Sequence, residues 1–460
     1  MAELIITISG VRGIAGENLT AETAYRFGQA FGQYLNTQKS VSKKIIVGRD
    51  TRHYGPELLA GLAAGLKLEG YFVVNIGVVP TPTVQISTVK DQAAGGVIIT
   101  ASHNPKEWNG LKFVSGQGMF LTEKQANIFI DLYKKLVPVK DLQFTEIQDD
   151  PKQNENALGS HLHKILALID VAAIKAKTFK VVVDPANGAG CKVTPMLLAM
   201  LGCEAIVLNA EPKGDFNRSP EPVPANIKEL CSTITEQGAD IGFAQDADAD
   251  RLAIVDEKGQ PIGEDNTLVL AVEYILKKHK GAKPLVVTNL STTMAVEEVT
   301  RNNGGEIELT RIGEINVSEV IHNKKALIGG EGNGGVIWPA IGLGRDSLAG
   351  IALILEYLAV SGKTLSELVA ALPKYYPVKD KLACNSHEQV QAYLDKFAKM
   401  QWPDKVRSIN KLDGIKVIFE NSSWVHLRGS NTEPIVRIIA EAKTLAVAEE
   451  LVALVKKALS

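Results

Sequence analysis

Only four cysteines occur in the 460 residues, Cys191, Cys203, Cys231 and Cys384, and no two of them form a CxxC pair. That scarcity argues against a thiolate metal site or a disulfide framework, and it fits free thiols in a reducing compartment, so a cytosolic protein is expected. A charge excess is also missing, with 50 Lys plus Arg against 52 Asp plus Glu. No overall field draws in nucleic acid or an anionic membrane, so any anion must be bound by a local pocket. No apolar run reaches membrane-spanning length, and the start MAELIITISGVRG lacks the basic-then-apolar order of a signal peptide. GxSxG and low-complexity stretches are absent as well.

What is present is a long alternation of apolar strand-like runs with helical patterns. KKIIVGRD precedes PELLAGLAAGLKLEG, FKVVVDPAN precedes VTPMLLAMLG, and KPLVVTNLS precedes TMAVEEVTRNNG. This is an α/β pattern, and the length calls for three or four domains. Each of the three strands ends in an Asx residue, Asp50, Asp184 or Asn289, which suggests a weak internal repeat. The tail differs: helix-like HEQVQAYLDKFAKM, strand-like GIKVIFE, SWVHLRG and PIVRIIAEA, then helix-like TLAVAEELVALVKKAL form a small α+β unit. QDDPKQNENALGS and LPKYYPVKD read as linkers and DEKGQP as a softer boundary.

The densest like charge lies in AQDADADRLAIV, where Asp246, Asp248 and Asp250 alternate with alanine. In an extended segment residues two apart share a side, so the three carboxylates would converge on a cation. Hard oxygen ligands favour Mg2+, Ca2+ or Mn2+, with Mg2+ expected first. An EF-hand would put Glu257 at loop position twelve but Arg251 at position six, where the turn requires glycine, and the flanks read as strands. A solvated acidic turn is the competing explanation.

Three further segments carry chemistry. In GGVIITASHNPKEWNGLKF a buried strand over Val97 to Ile99 would deliver Ser102 to the sheet edge where ligands bind, although Asn104-Pro105 also suits a plain surface turn. In GGEGNGG, Glu331 and Asn333 offer an acceptor and an amide to adjacent sugar hydroxyls, unless the segment is only a flexible hairpin. In HLRGSNTEPIVRI, Arg428 and Arg437 flank small polar residues, a composition suited to phosphate.

In this order, SGVRG, TASHNP, DADADR, GEGNGG and RGSNTEP resemble the motif set of the α-D-phosphohexomutases across essentially the whole chain. The resemblance implies three similar α/β domains with mixed sheets plus a smaller C-terminal α+β domain around a central cleft. The boundaries expected are 1–155, 156–257, 258–372 and 373–460. It implies a phosphoserine at Ser102, and Mg2+ held by Asp246, Asp248 and Asp250 together with Ser102. Glu331 and Asn333 would contact the sugar, and Arg428, Ser430, Asn431, Thr432 and Arg437 the nontransferred phosphate. Arg12, Lys112 and Arg251 would surround the transferred group, with His103 and Asn104 supporting the serine loop. Glucose or glucosamine 1,6-bisphosphate would serve as activator.

One departure from the family stands out: where many members carry a histidine thought to help proton transfer, this chain has Gly335. Lys112 would then act as base, its pKa depressed by burial and neighbouring cations. The form GEGNGGVI is most similar to phosphoglucosamine mutases and their archaeal-type relatives, with two-substrate phosphomannomutase/phosphoglucomutases next. Glucosamine 6-phosphate to glucosamine 1-phosphate is therefore the expected reaction. A silent sugar-phosphate sensor and a metal-dependent phosphatase are the alternatives, and a monomer or homodimer acting on small sugar phosphates is expected.

Overall fold

The computed structural model describes residues 3–38, 41–138, 142–429 and 435–459. Four sheets follow one another along the chain. The first contains β1 (Ile5–Thr7), β2 (Gly10–Ile14), β3 (Lys44–Arg49), β4 (Phe72–Val78), β5 (Gly95–Ile99) and β6 (Trp108–Ser115). The second contains β7 (Lys180–Asp184), β8 (Glu204–Val207), β9 (Ile241–Gln245) and β10 (Leu252–Val255). The third contains β11 (Leu285–Asn289), β12 (Glu306–Thr310), β13 (Ile328–Glu331) and β14 (Gly335–Ile337). The fourth contains β15 (Tyr376–Ala383), β16 (Val406–Asn410), β17 (Ile415–Phe419), β18 (Trp424–Gly429) and β19 (Ile435–Ala442), all antiparallel.

The first three sheets repeat one topology. The orders β4-β3-β5-β6, β8-β7-β9-β10 and β12-β11-β13-β14 each contain two parallel pairings and one antiparallel. The suspected repeat at the Asx residues is real at the atomic level. Asp50 Oδ1 accepts from the Arg52 amide, Asp184 Oδ1 from Ala186, and Asn289 Oδ1 from Ser291, each two residues on. Such Asx turns end a strand cleanly. The hairpins that follow β5, β9 and β13 are equivalent: they carry Ser102, the three aspartates, and Asn333, with Glu331 at the end of β13.

An unbroken apolar core runs from Ile46 and Ile98 through Leu162, Phe243 and Leu268 to Leu353, joining the first three sheets. At its centre lies the helix Ser347–Ser361, apolar on all sides as a core helix must be and capped by Asp346. The fourth sheet packs its own core around Phe397, Phe419 and Val455, and meets the third through a small cluster of Met294, Ile418 and Trp424.

The tail elements match expectation, with β15 and β16 added, but the second expected linker, LPKYYPVKD, runs into β15 from Tyr376. The first, QDDPKQNENALGS, does not match either: Asp150 accepts from the amides of Lys152 and Gln153, Pro151 opens the first turn, and Pro151–Leu166 is helix. Cap and proline are helix-start signals that its polar composition obscured. The expected boundary at 155 therefore falls inside a helix.

Candidate active site

The serine loop is built on a run with no exposed side chain, Gly95–Ile99. Beyond it Ser102 adopts φ +50°, a left-handed conformation that costs a non-glycine residue energy and needs support. Thr100 Oγ1 accepts from the Ser102 amide at 2.9 Å and donates to Asp50 Oδ2 at 2.6 Å. Arg52 donates to the carbonyls of Ser102, Asn104 and Pro105, each at 2.7 Å, while its Nε pairs with Asp50 Oδ2 at 3.0 Å. Arg12, on β2, donates to Asn104 Oδ1 at 3.0 Å. So held, Ser102 Oγ donates to Asp246 Oδ2 at 2.8 Å, across to the second sheet.

The three aspartates are fully buried, with carboxylate oxygens within 4.8 Å of one another. Their convergence does not come from an extended strand: residues 247–249 form a turn with Ala249 at φ +54°. Small residues let the chain double back there, and Asp246 Oδ1 accepts from the amides of Asp250 and Arg251 at 3.1 Å. Asp248 Oδ2 accepts from Thr81 Oγ1 and Lys112 Nζ, both at 2.7 Å. Asp250 Oδ2 accepts from Arg345 at 2.6 Å and lies 3.6 Å from Lys112 Nζ. Asp248 Oδ1 and Asp250 Oδ1 remain buried without a hydrogen-bond partner. Orphaned carboxylate oxygens in a dry site are costly unless a cation meets them, and an all-oxygen set suits a hard divalent ion.

The electrostatics follow from this crowding. Burial, then Asp250 and Asp248, push Asp246 well above the usual carboxylate range. Asp248 is buried as deeply, yet Lys112 and its hydrogen bonds hold it below that range. Lys112 corrects the expectation of a depressed pKa. Burial does pull it down, but Asp248 and Asp250 outweigh burial and raise it, so the side chain stays an ammonium. Burial, then Arg251 and Arg12, pull the His103 imidazole down to about 3, so it is neutral beside Ser102 Oγ, 3.4 Å from its Nδ1. Arg251 also lies 3.6 Å from Glu221 and keeps a buried Nε without a partner.

Glu331 ends β13. Its Oε1 accepts from Asn289 Nδ2 at 2.8 Å and the Gly313 amide at 3.1 Å, and its Oε2 from Arg345 at 2.9 Å. Asn333 turns its Oδ1 back to the Gly335 amide at 3.2 Å, an Asx turn that orders the hairpin. On the fourth sheet Arg428 and Arg437 are directly opposed cross-strand partners. Like charges so placed repel, an arrangement that an intervening anion stabilises. Ser430, Asn431 and Thr432 lie outside the described residues.

Five participants escaped the sequence reading. Asp50 figured only as a strand end, Arg52 and Thr81 carry no motif signal, and Glu314 and Arg345, 31 positions apart, meet only in the fold at 3.1 Å. Glu314 is buried and pushed up to about 7 chiefly by desolvation. Arg311 pairs with exposed Glu123, and Glu257 accepts from Ser366.

Phosphoglucomutase/phosphomannomutase alpha/beta/alpha domains I, II and III match residues 4–137, 159–259 and 263–376, and the C-terminal domain of the same enzymes matches 374–458. The chain belongs to the phosphoglucomutase/phosphomannomutase family. This phosphohexomutase is 39% identical over 443 residues to a phosphoglucomutase/phosphomannomutase of Thermococcus kodakarensis, covering 95% of this chain and 94% of the other. It is 33% identical to a phosphoglucosamine/phosphogalactosamine mutase of Sulfurisphaera tokodaii, covering 97% of each. The X-ray structure of a phosphoglucomutase/phosphomannomutase family protein from Burkholderia thailandensis superimposes with TM-score 0.83 at 27% identity, covering 99% of this chain and 98% of that one. Among the described residues, no helix of the phosphohexomutase is long and apolar enough to cross a membrane.

The site also predicts a pH response. Burial lowers His426 to about 4 from an ordinary 6.5; its Nε2 hydrogen-bonds the Asp413 carbonyl at 2.6 Å. The unfolded chain takes up a proton below pH 6.5 that the folded chain refuses until about pH 4. Stability is therefore complete above pH 6.5 and declines as pH falls, by on the order of 3 kcal/mol from this group. Thermal unfolding between pH 4 and pH 7 should show a flatter profile in His426→Asn than in the wild type. Parallel profiles would refute the assignment.

Proposed function

We propose that this enzyme transfers a phosphoryl group between Ser102 and a hexose monophosphate through a hexose 1,6-bisphosphate, with Mg2+ at the aspartate cluster. The carrying observation is Ser102 Oγ hydrogen-bonded at 2.8 Å to a buried carboxylate cluster in which two oxygens have no partner. Asp246, Asp248 and Asp250, with the phosphoserine, would hold the ion, which when bound supplies positive charge to the transferring group. A sugar hydroxyl attacks phosphorus, its O–P bond forms as the Ser102 Oγ–P bond breaks, and the proton lost by the hydroxyl is matched by the one Ser102 Oγ takes up as it is freed. The bisphosphate then turns over, and its other phosphate returns to Ser102.

The chain's own cations support each step. Arg12 and Arg251 neutralise charge developing on the transferred group, and Lys112, kept protonated by Asp248 and Asp250, offers charge and a proton at the departing oxygen. Glu331 and Asn333 receive the sugar hydroxyls, while Arg428 and Arg437, with Ser430, Asn431 and Thr432, grip the phosphate that does not move. His103, neutral, and Asn104 keep the serine loop in register.

Glucosamine 6-phosphate is the proposed substrate and glucosamine 1-phosphate its product. The GEGNGG loop and the Sulfurisphaera relative support this, while the Thermococcus relative favours glucose and mannose phosphates as the second reading. The test is kcat/KM on glucosamine, glucose, mannose and N-acetylglucosamine phosphates with Mg2+ and a bisphosphate activator. A preference for glucosamine upholds the first reading, and comparable rates on glucose and mannose establish the second. Steady release of inorganic phosphate in place of isomer would mark a phosphatase.

A further inference from the structure

Arg345 precedes the N-cap of the central helix and is buried among three carboxylates from three parts of the chain. Its guanidinium donates to Asp250 Oδ2 at 2.6 Å, to Glu331 Oε2 at 2.9 Å and to Glu314 Oε2 at 3.1 Å, while its amide reaches Glu314 Oε1 at 3.3 Å. Asp250 belongs to the metal loop of the second sheet, Glu331 to the sugar hairpin of the third, and Glu314 opens the helix Glu314–Lys324. A planar fork with fixed donor directions also dictates which oxygen each carboxylate has left over. Asp250 gives Oδ2 to Arg345 and keeps Oδ1 buried and unpartnered. With Oε2 on Arg345 and Oε1 on Asn289 and Gly313, Glu331 is fixed in one orientation.

The same side chain accounts for the glycine at the family's histidine position. A Cβ added to Gly335 would lie 2.2 Å from Arg345 Cδ and 2.9 Å from its Cγ. Real Cβ atoms do not approach carbon so closely, so any side chain at 335 would evict Arg345 from this conformation. Gly335 has no unusual backbone angle that would itself demand glycine.

We propose that Arg345 is a positioning residue that couples the metal loop to the sugar loop, and that Gly335 is glycine to make room for it. The sugar half rests on the mutase reading above; the metal half does not. A buried ion network is poor evidence of stability, because apolar residues of similar volume often serve as well. Its oxygen-selecting geometry is what gives this network a role. Arg345 acts through the three carboxylates that occupy its fork.

The test uses the full chain with Arg345→Lys, Gly335→Ala and the double variant. Mn2+ affinity is measured by calorimetry without sugar, KM and kcat on glucose 1-phosphate with Mg2+ and glucose 1,6-bisphosphate, and Tm as a folding control. Arg345→Lys keeps the charge but loses the fork, and should weaken Mn2+ binding about 10-fold or more, the usual effect of losing a group that orients a metal ligand. KM for the sugar phosphate should rise in the same variant. Gly335→Ala removes no functional group, yet it should show both defects, and the double variant should be little worse than either single one. Wild-type Mn2+ affinity and KM in both single variants, with only a lowered Tm, would overturn the proposal, as would failure of the wild type to bind Mn2+. Should Arg345→Lys not fold, Gly335→Ala alone decides. Weakened Mn2+ binding in the variants of a wild type that turns over no hexose phosphate would uphold the metal coupling and refute the mutase reading.

Discussion

Ser102→Ala is expected to lower kcat/KM on any accepted hexose phosphate by on the order of 10,000-fold, because under the proposed mechanism it removes the atom that would carry the phosphoryl group. The change should leave the fold nearly intact. Ser102 gives one side-chain hydrogen bond to Asp246, and its loop is held chiefly by Arg52 and Thr100 acting on the backbone. Loss of that bond costs about 1–3 kcal/mol at most. Intact-protein mass after incubation with the bisphosphate supplies the second readout: the wild type should carry one phosphate and the variant none. A variant that keeps appreciable turnover, or is phosphorylated elsewhere, would remove Ser102 from the mechanism.

Arg52→Leu should produce the largest loss of stability. Arg52 and Asp50 are each about 1% exposed, and their ion pair holds the serine loop through three carbonyls. Breaking one side of a buried pair strands the other charge, typically at about 3–5 kcal/mol. Burial already raises Asp50 above the ordinary carboxylate range against the pull of Arg52, so without that partner it must protonate or draw in water. Turnover should fall along with stability, since Ser102 at φ +50° loses its brace. Arg52→Lys should recover part of the stability but less of the activity, because an ammonium cannot serve three carbonyls from one plane. Denaturation midpoints alongside kcat/KM would check this, and an unchanged midpoint in Arg52→Leu would show that the clamp carries no weight.

The sequence made visible whatever depends on local pattern. Alternating strands and helices, the Asx residues that repeat between sheets, and the loops around Ser102, Asp246 and Glu331 all announce themselves within a dozen residues. Features set by distant partners were not visible. Lys112 looked like a base because its cationic neighbours stood out in the motifs, whereas its ionisation is decided by Asp248 and Asp250, 136 and more positions away. Arg345 sits in an unremarked GRDS turn, and its meaning depends on three carboxylates converging from elsewhere. The helix at Pro151–Leu166 was hidden because its composition reflects a largely exposed face, although Asp150-Pro151 marked its start.

The separate core of the fourth sheet bears on timing. Three of the four loops ride on one continuous apolar body, but Arg428 and Arg437 belong to a unit attached through Met294, Ile418 and Trp424 and a set of polar ties that includes Lys416 to the Leu290 carbonyl at 2.6 Å, Glu441 to the Met294 amide and Asp413 to the Ile312 amide. A unit with its own core can shift as a body when the contacts at its junction give way. In the proposed cycle the bisphosphate must loosen its hold on the arginines in order to turn, and the same loosening lets it escape. Under the proposed cycle, the strength of that junction would set a partition ratio: how many intermediates are retained for each one lost to solvent, and so how often an outside bisphosphate would be needed to recharge Ser102.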